Sequence, residues 1–174
     1  FIKNNILTPK YISYSFNKSN LELIKLINRK LKFPVVIKPI NEGSSVNVFI
    51  CSRENLIQKL KVLRSYKRII IEKFIAGREI QAAIIGKKKL GAIELEPKRK
   101  FYDYQAKYNP KARTEHIIPV EISRRKYQEL TKIALKVHKI LNCRGVTRSD
   151  FRYYKNSFYL LETNTQPGMT SLSL

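Results

Sequence analysis

Four polar residues near the end of the chain stand at a spacing that suits metal chemistry: Arg148 and Asp150, then Glu162 and Asn164. Residues two apart on a strand face the same side of a sheet. If residues 155–157 form a three-residue turn between two strands, Asp150 lies opposite Glu162, and Arg148 lies opposite Asn164. Facing carboxylates destabilise a sheet unless a cation lies between them, and carboxylate and amide oxygens suit Mg²⁺. The pattern indicates a magnesium site, the alternative being surface side chains that pair with lysines.

A second segment, residues 38–45, has the composition of a phosphate-binding loop. Lys38 ends an apolar strand, and the sequence Glu-Gly-Ser-Ser follows at positions 42–45. Small residues let backbone N–H groups approach an anion, and a lysine at the end of a strand adds a positive charge for a phosphate. The order of residues is not that of a Walker A loop. An ordinary β-turn is the alternative interpretation.

Two further segments could contact a nucleotide. Residues 72–79 join two apparent lobes, and an extended linker offers backbone N–H and C=O groups to a planar base, with Glu79 placed for ribose hydroxyls. Residues 101–108 lie in a long polar stretch, and a loop with lysine and tyrosine could close over phosphates and exclude water. Read alone, each segment also fits a plainer interpretation: a strand and turn for the first, and a surface loop for the second.

The elements that must position these residues follow from hydrophobic spacing and turn signals. Ser19 and Glu22 form the pattern of a capping box at the start of a helix. Helices mixed with adjacent hairpins predict an α+β class rather than a doubly wound parallel sheet. Besides the helix after Ser19, helices are predicted over 52–64 and 124–141, strands over 33–38, 46–51 and 68–74, and hairpins over 79–85 with 90–96 and over 146–154 with 158–164.

Composition narrows the possible classes of protein. The 174 residues carry 35 Lys and Arg against 13 Asp and Glu, a net charge of +22, and 43% are hydrophobic. A packed core is therefore expected, and no apolar run approaches the roughly 20 residues of a membrane helix. The basic residues are scattered and accompany no nucleic-acid motif, so they predict a solvated basic surface. Cys51 and Cys143 match no metal or redox spacing.

Taken together and in order, these segments resemble the D-alanine–D-alanine ligase family, which has the ATP-grasp fold. The resemblance runs from about Thr8 to Leu174 and is densest in four segments. They read Phe-Pro-Val-Val-Ile-Lys-Pro at 33–39, Glu-Gly-Ser-Ser at 42–45, Phe-Tyr-Asp-Tyr-Gln-Ala-Lys-Tyr at 101–108 and Glu-Thr-Asn-Thr-Gln-Pro-Gly-Met-Thr at 162–170. The resemblance implies two α+β lobes that hold the nucleotide between them. They are a small lobe over residues 1–75 and a large C-terminal lobe over residues 76–174, truncated at its end.

The resemblance also implies roles for individual residues. Two Mg²⁺ ions, which Mn²⁺ could replace, would be held by Asp150, Glu162 and Asn164. The nucleotide would be contacted by Lys38 and Lys107 at its phosphates, by Glu72 with the backbone of Lys73 and Ile75 at adenine, and by Glu79 at ribose. The catalytic set would be Ser44 and Tyr108, which position the first D-alanine, and Arg148 with the Gly168 backbone, which stabilise the oxyanion of the tetrahedral intermediate. The carboxylate of the second D-alanine would be bound by Ser173 and Leu174.

The activity that the resemblance implies is ATP-dependent ligation of two D-alanines, for peptidoglycan precursor synthesis. The carboxylate of the first D-alanine attacks the γ-phosphate of ATP and gives an acyl phosphate, whose carbonyl the amine of the second D-alanine attacks. Such chemistry needs charge neutralisation and positioning more than a covalent nucleophile. The implied partners are D-alanine and ATP, without nucleic acid or membrane, in a cytoplasmic protein that is a homodimer at full length.

The sequence departs from the family pattern at several points. Asn47 stands where the phosphate loop usually ends in glycine, and asparagine tolerates a positive φ better than most residues. Thr163 replaces an apolar residue between Glu162 and Asn164, so we expect its side chain to face away from the metal. The chain begins with Phe1 and lacks the N-terminal domain of the family, so we expect a piece of a longer protein that is inactive alone.

Three alternatives stay open at the level of the sequence. A sister specificity joins D-alanine to D-lactate and differs around Lys107 and Tyr108, where Tyr108 favours the dipeptide product. A second alternative is another ATP-grasp carboxylate–amine ligase. Outside the enzymes, a non-catalytic basic domain would bind polyanions, and salt would weaken that binding.

Overall fold

The computed structural model describes residues 1–43, 45–96 and 114–168. The chain divides into two compact units: the first comprises the described residues between 9 and 74, and the second comprises residues 1–8, 75–96 and 114–168. Each unit has its own sheet and its own hydrophobic core. Residues 1–8, which the sequence-based division placed in the small lobe, pack in the second unit. A hydrogen bond of 2.9 Å from the Leu160 N–H to the Leu7 carbonyl holds them there.

The first unit is built on a four-stranded antiparallel sheet and two helices. Helix α1 covers Asn20–Lys30, and helix α2 covers Leu56–Val62 and continues as a 3₁₀ turn over Leu63–Ser65. The strands are β1 (Tyr11–Tyr14), β2 (Val35–Pro39), β3 (Phe49–Cys51) and β4 (Ile69–Lys73), in the order β1-β4-β2-β3. Strand β3 begins at Phe49 rather than at residue 46, because Ser45 and Asn47 take positive φ values of 59° and 55° and form a turn.

Helix α1 begins as the sequence predicts, with a capping box. The Ser19 hydroxyl accepts a hydrogen bond from the Glu22 N–H at 3.3 Å, and the Glu22 carboxylate accepts one from the Ser19 N–H at 2.8 Å. These bonds satisfy backbone donors that a helix N-terminus leaves unpaired. Hydrogen bonds from the Ser19 hydroxyl and N–H lower the pKa of Glu22. Helix α2 has no side-chain cap at Asn55, and it begins later than predicted.

The two faces of the first sheet differ because apolar residues alternate along its strands. Val35 and Ile37 of β2 are fully buried, whereas Val36 and Lys38 lie half-buried on the other face. The buried face packs against both helices in one core, which includes Leu23, Ile27, Leu56, Leu60, Ile69 and Ile71. The opposite face therefore remains for polar and half-buried groups.

The second unit is a five-stranded antiparallel sheet with one long helix. Helix α3 covers Arg124–Ile140, and a 3₁₀ turn covers Ile2–Asn4. The strands are β5 (Arg78–Ile85), β6 (Lys88–Glu96), β7 (Glu115–Ile117), β8 (Val146–Tyr154) and β9 (Ser157–Asn164), in the order β7-β6-β5-β8-β9. Both predicted hairpins form, and the α+β class is confirmed. None of the helices in the described ranges is long and apolar enough to cross a membrane.

One face of the second sheet carries the core, and the other carries the polar side chains. Ile80 and Phe151 are fully buried and pack with the apolar stripe of α3, which consists of Leu130, Ala134 and Val137. Side chains alternate along a strand, so Gln81 and Asp150, the sequence neighbours of Ile80 and Phe151, point to the opposite face. They are paired across β5 and β8.

The turn between β8 and β9 differs from the prediction. It has two residues, Lys155 and Asn156, and Tyr154 pairs directly with Ser157. The positive φ values of Lys155 (45°) and Asn156 (63°) are typical of a type I′ turn, which matches the twist of the flanking strands. The prediction of a three-residue turn over 155–157 is therefore wrong.

A β-bulge restores the predicted pairing farther along the same hairpin. The register shifts between Asp150 and Phe151, which leaves Leu161 of β9 as an extra residue. Phe151 pairs with Leu160, and Asp150 pairs with Glu162. The opposition of the two carboxylates is thus confirmed, although it arises from a two-residue turn plus a bulge rather than from a longer turn.

Candidate active site

Asp150 lies in the middle of β8 with 3% of its surface exposed. Arg148, two residues earlier on the same face, donates from Nε to Oδ1 at 2.9 Å and from Nη2 to Oδ2 at 3.0 Å. Gln81, opposite on β5, donates from Nε2 to Oδ2 at 3.3 Å. A bidentate guanidinium and an amide donor stabilise an ionised carboxylate and set its plane. Asp150 therefore presents a negative charge in a defined orientation.

Glu162 and Asn164 complete a polar group with Arg148 and Asp150, which we call the carboxylate patch. Glu162 is exposed and is paired with Asp150, and half-buried Asn164 is paired with Arg148. Directly opposite residues of an antiparallel pair have Cβ atoms about 4.5–5.5 Å apart. The two carboxylates and the amide therefore meet on one face of the sheet, with a fixed guanidinium beside them.

The carboxylate patch has the donor chemistry of a magnesium site. Across the described residues, no group of three or more His, Cys, Asp or Glu side chains could hold a metal ion by itself. Two carboxylates and an amide supply hard oxygen ligands, and Mg²⁺ commonly completes its shell with water and substrate phosphates. The buried Nδ2 of Asn164 has no hydrogen-bond partner in the described part of the chain. It is the amide oxygen of Asn164, together with the carboxylate oxygens of Asp150 and Glu162, that fits Mg²⁺.

Thr163 lies between the two ligand candidates of β9 and faces the other way, as the sequence predicts. Its hydroxyl lies 3.0 Å from the hydroxyl of Ser149, which is fully buried on β8. Ser149 and Thr163 are paired directly across the strands. This contact joins β8 and β9 on the core face, so it supports the hairpin without entering the carboxylate patch.

Glu79 shares the polar face of the second sheet with the carboxylate patch. Its side chain is 9% exposed and forms an ion pair of 2.8 Å with Arg152, which is opposite it on β8. Arg152 also donates from Nη1 to the Gly77 carbonyl at 3.0 Å. The ion pair holds the Glu79 carboxylate on the same strand face as Gln81. There the carboxylate can accept hydrogen bonds from hydroxyl groups.

In the first unit, Lys38 and Glu72 form an ion pair of 2.9 Å on the sheet face that is turned away from the helices. The two side chains are 22% and 14% exposed. Half-buried Val36 and Ile70 lie beside them on the same face. A cation and a carboxylate on a partly apolar surface could receive a phosphate and a planar base, respectively.

The backbone of Lys73 is partly engaged in the sheet. Its N–H donates to the Lys10 carbonyl at 2.8 Å, and its side-chain Nζ donates to the Lys32 and Phe33 carbonyls at 3.2 and 3.3 Å. The N–H of Lys73 is thus unavailable to a base, and a backbone contact there would use its carbonyl. Ile75 begins the second unit and is half-buried.

The candidate phosphate loop is tied to the body of the first unit by Tyr66. The Asn47 Nδ2 donates to the Tyr66 hydroxyl at 2.9 Å, and that hydroxyl donates to the Glu42 carboxylate at 3.1 Å. Asn47 takes a positive φ of 55°, a conformation that asparagine tolerates better than most residues. The Val46 N–H donates to the Gly43 carbonyl at 3.0 Å.

Several predicted site residues lie outside the described residues: Ser44, Lys107, Tyr108, Ser173 and Leu174. Gly168 is described and exposed, at the edge of the described range. Sequence reasoning missed Gln81, Arg152 and Tyr66. For Gln81 and Arg152 a signal existed, because strand alternation puts them on the faces of Glu79 and Asp150. Tyr66 had no signal, since its contacts join residues far apart in the chain.

The α+β fold has a lysine–glutamate pair on one antiparallel sheet and a carboxylate patch on a second, which agrees with the ATP-grasp fold that the resemblance implies. The family profile described as "D-ala D-ala ligase C-terminus" matches residues 5–174. The "D-alanine--D-alanine ligase" of Pelagibacter ubique (strain HTCC1062) is 63% identical over 174 residues, which is 100% of this chain and 57% of that protein. The chain belongs to the D-alanine–D-alanine ligase family and corresponds to its C-terminal part.

Solved structures agree with this assignment. The crystal structure of a D-alanine–D-alanine ligase from Bacillus anthracis has a TM-score of 0.81 at 33% identity, over 99% of this chain and 56% of that one. A second structure of the Bacillus anthracis enzyme, complexed with ATP, has a TM-score of 0.75 at 26% identity, over 99% of this chain and 54% of that one. The chain thus spans little more than half the length of the proteins that it matches.

Proposed function

We propose that this chain is the nucleotide- and metal-binding part of an ATP-dependent ligase that joins two D-alanines into D-alanyl-D-alanine. The observation that carries the proposal is the carboxylate patch, in which Asp150 is paired with Glu162 beside Arg148 and Asn164. Its donor set suits an ion that is shared with phosphate oxygens. A related structure with ATP bound supports the nucleotide as the source of that phosphate.

Asp150, Glu162 and Asn164 would hold Mg²⁺, with two ions as the expected number. When bound, Mg²⁺ would neutralise charge on the phosphates of the nucleotide. The protein's own part is to orient Asp150, which Arg148 and Gln81 do through hydrogen bonds of 2.9–3.3 Å. Glu162 is exposed, so it can turn toward a ligand at little cost.

The reaction would proceed in two steps. The carboxylate oxygen of the first D-alanine attacks the γ-phosphorus of ATP, the bond to the bridging oxygen breaks, and ADP leaves. The amine of the second D-alanine then attacks the carbonyl carbon of the acyl phosphate, loses a proton and expels phosphate. Negative charge develops on the carbonyl oxygen in the second step, and Arg148 with the N–H of Gly168 would stabilise it. A guanidinium has five N–H donors, of which two contact Asp150.

The remaining positions bind and orient the substrates in this proposal. Lys38 would pass from Glu72 to a phosphate, and Glu72 would then be available to the adenine amino group. Glu79 would accept from ribose hydroxyls while Arg152 holds it in place. The other assigned contacts are Lys107 to phosphates, the carbonyl of Lys73 and the backbone of Ile75 to adenine, Ser44 and Tyr108 to the first D-alanine, and Ser173 and Leu174 to the second.

The product would serve peptidoglycan precursor synthesis in the cytoplasm, and the complete protein would be a homodimer. D-alanine–D-lactate ligation is the alternative within the same chemistry, because it changes only the nucleophile that opens the acyl phosphate. Polyanion binding without catalysis is the alternative outside the enzymes. It would need no Mg²⁺ and would weaken steeply with salt.

The test is D-alanine-dependent release of phosphate from MgATP by the complete gene product. L-alanine and D-lactate, the latter supplied together with D-alanine, are the controls for stereochemistry and for the second substrate. Release with D-alanine and not with L-alanine supports the proposal, and so does its loss in the Glu162→Gln variant. Full ligase activity in Glu162→Gln would show that the metal assignment is wrong. Salt-sensitive polyanion binding that Glu162→Gln leaves intact, without phosphate release, would support the non-catalytic alternative.

A further inference from the structure

Gln81 is a buried polar residue in the middle of the sheet that bears the carboxylate patch. It lies on β5 with 2% of its surface exposed, between Ile80 and Ala82, whose side chains enter the core on the other face. Glutamine is seldom buried to this extent unless its amide is paired. On the polar face its direct partner across the strands is Asp150.

The two ends of the Gln81 amide are in unequal situations. Nε2 donates to Oδ2 of Asp150 at 3.3 Å, whereas Oε1 is buried and has no hydrogen-bond partner in the part of the chain that the structure describes. An ionised carboxylate only accepts hydrogen bonds, so the NH₂ group must face Asp150. This requirement fixes the orientation of the amide and leaves its carbonyl oxygen turned away from Asp150.

Stability alone does not account for a glutamine at this position. A buried acceptor without a partner opposes folding, and an apolar side chain of similar volume would fill the same space without stranding an oxygen. Asp150 already has a bidentate guanidinium partner in Arg148. Arg148 already neutralises the charge of Asp150, so the additional amide donor serves to orient the carboxylate.

We propose that Gln81 is a positioning residue that holds Asp150 in the orientation required for binding the divalent cation. This inference rests on the proposed function, in which Asp150 is a ligand of Mg²⁺. Oδ2 of Asp150 is held by Nη2 of Arg148 and by Nε2 of Gln81, which come from different strands. Two donors at one oxygen restrict rotation of the carboxylate about its Cβ–Cγ bond. Groups that fix a ligating carboxylate in this way strengthen metal binding.

The experiment compares metal affinity with stability in the complete gene product. Mn²⁺ is titrated in the presence of a non-hydrolysable ATP analogue, with water proton relaxation as the readout, and thermal unfolding is followed without metal. Gln81→Met keeps the side-chain volume and removes the amide. We expect its dissociation constant for Mn²⁺ to rise about 10-fold or more, with a melting temperature that is unchanged or higher.

The control variant is Ser149→Ala. Ser149 directly precedes Asp150 in the sequence and is buried, but its hydroxyl contacts Thr163 on the opposite face of the sheet. This variant should lower the melting temperature and leave Mn²⁺ affinity unchanged, which is the reverse of the result for Gln81→Met. Gln81→Leu is measured in parallel, so the test does not depend on one substitution. If both Gln81 variants lower the melting temperature more than Ser149→Ala does, Gln81 is a structural residue and the inference is wrong.

Different results would overturn the proposed function and the role of Gln81. If the unsubstituted protein binds no Mn²⁺ with the nucleotide analogue, the proposed function fails, and the inference fails with it. If it binds Mn²⁺ and Gln81→Met binds equally tightly, only the role of Gln81 is overturned. Weakened binding with retained stability supports both.

Discussion

Leu160 and Glu162 are two residues apart on β9, yet they lie on opposite faces of the sheet. Leu160 is 1% exposed in the core and pairs with Phe151, whereas Glu162 is exposed and pairs with Asp150. In a regular strand, residues at this spacing share a face. The extra residue of the bulge, Leu161, reverses the alternation of side chains, so Glu162 faces Asp150 and not the core.

Because the bulge sets the face on which Glu162 lies, a deletion and an insertion at Leu161 should affect activity differently. Deletion of Leu161 leaves a regular strand in which Leu160 still faces the core and Glu162 still faces Asp150. Insertion of one alanine after Leu161 shifts the following residues by one and turns Glu162 toward the core. Phosphate release by the complete gene product should survive the deletion better than the insertion. Equal loss in both would show that the bulge has a role other than aiming Glu162.

Substitutions of the two carboxylates in the patch should both lower activity but should differ in their effect on stability. Glu162→Gln removes an exposed charge, so its free energy of unfolding should stay within about 0.5 kcal/mol of the original, while activity falls more than about 100-fold. Asp150→Asn leaves Arg148 without its anionic partner and should cost about 1–3 kcal/mol in addition to activity. Urea unfolding and phosphate release measure the two effects. A stability loss in Glu162→Gln that matched the loss in Asp150→Asn would contradict the assignment.

The contacts of Tyr66 with the candidate phosphate loop predict that its hydroxyl strengthens the binding of ATP. Tyr66→Phe removes the bonds to Asn47 and Glu42, so the loop becomes less ordered before nucleotide binds. A hydrogen bond contributes about 0.5–1.5 kcal/mol, so we expect KM for ATP to rise by up to about tenfold while kcat changes little. Steady-state kinetics over ATP concentration measures this split.

A tyrosine in the same unit gives the control for Tyr66. The hydroxyl of Tyr14 donates to the Lys18 carbonyl at 3.2 Å, outside the loop, so Tyr14→Phe should leave KM for ATP unchanged. Asn47→Ala loses one of the two bonds that Tyr66→Phe removes and also places alanine at a φ of 55°, so it should raise KM for ATP as well. A rise in KM for Tyr14→Phe equal to that for Tyr66→Phe would assign the effect to general loosening of the unit.

Gly77 cannot carry a side chain. Its φ is 134°, and a Cβ there would lie 2.3 Å from the Tyr153 carbonyl oxygen. Gly77→Ala should therefore destabilise the protein by more than about 1 kcal/mol, as measured by chemical unfolding. The matched control is Gly145→Ala, because a Cβ at Gly145 meets nothing within 4 Å. Similar stability of the two variants would contradict the close approach.

Because the Cys51 thiol is buried, we expect the protein to lose stability at alkaline pH. Burial raises the pKa of its thiol from 9.0 to about 11, with Lys59 opposing the shift. The unfolded chain loses this proton at lower pH than the folded chain, so stability is complete below pH 9 and falls as pH rises toward 11. The loss should reach about 2–3 kcal/mol. It is measured as the difference between the original protein and Cys51→Ala in unfolding experiments from pH 8 to 11. Parallel profiles for the two proteins would contradict it.

Local signals were sufficient for most elements. The capping box at Ser19 and Glu22 marks the start of α1, and the apolar stripe of α3 matches the predicted helix closely, because both depend on residues within a few positions of each other. The prediction was weakest where a turn replaced strand, as at Ser45 and Asn47, whose φ values no spacing rule supplies. The grouping of Arg148 with Asp150 followed directly from strand alternation.

The sequence by itself determined the α+β class, the family resemblance and the residue types of the carboxylate patch, because these depend on local pattern and composition. Only the tertiary structure decided that a two-residue turn and a bulge pair Asp150 with Glu162, and that Gln81 reaches Asp150 from a strand 69 positions away in the chain. Strand order brings such residues together, and strand order depends on how a whole sheet buries one face. A local pattern carries no information about which distant strand will be the neighbour.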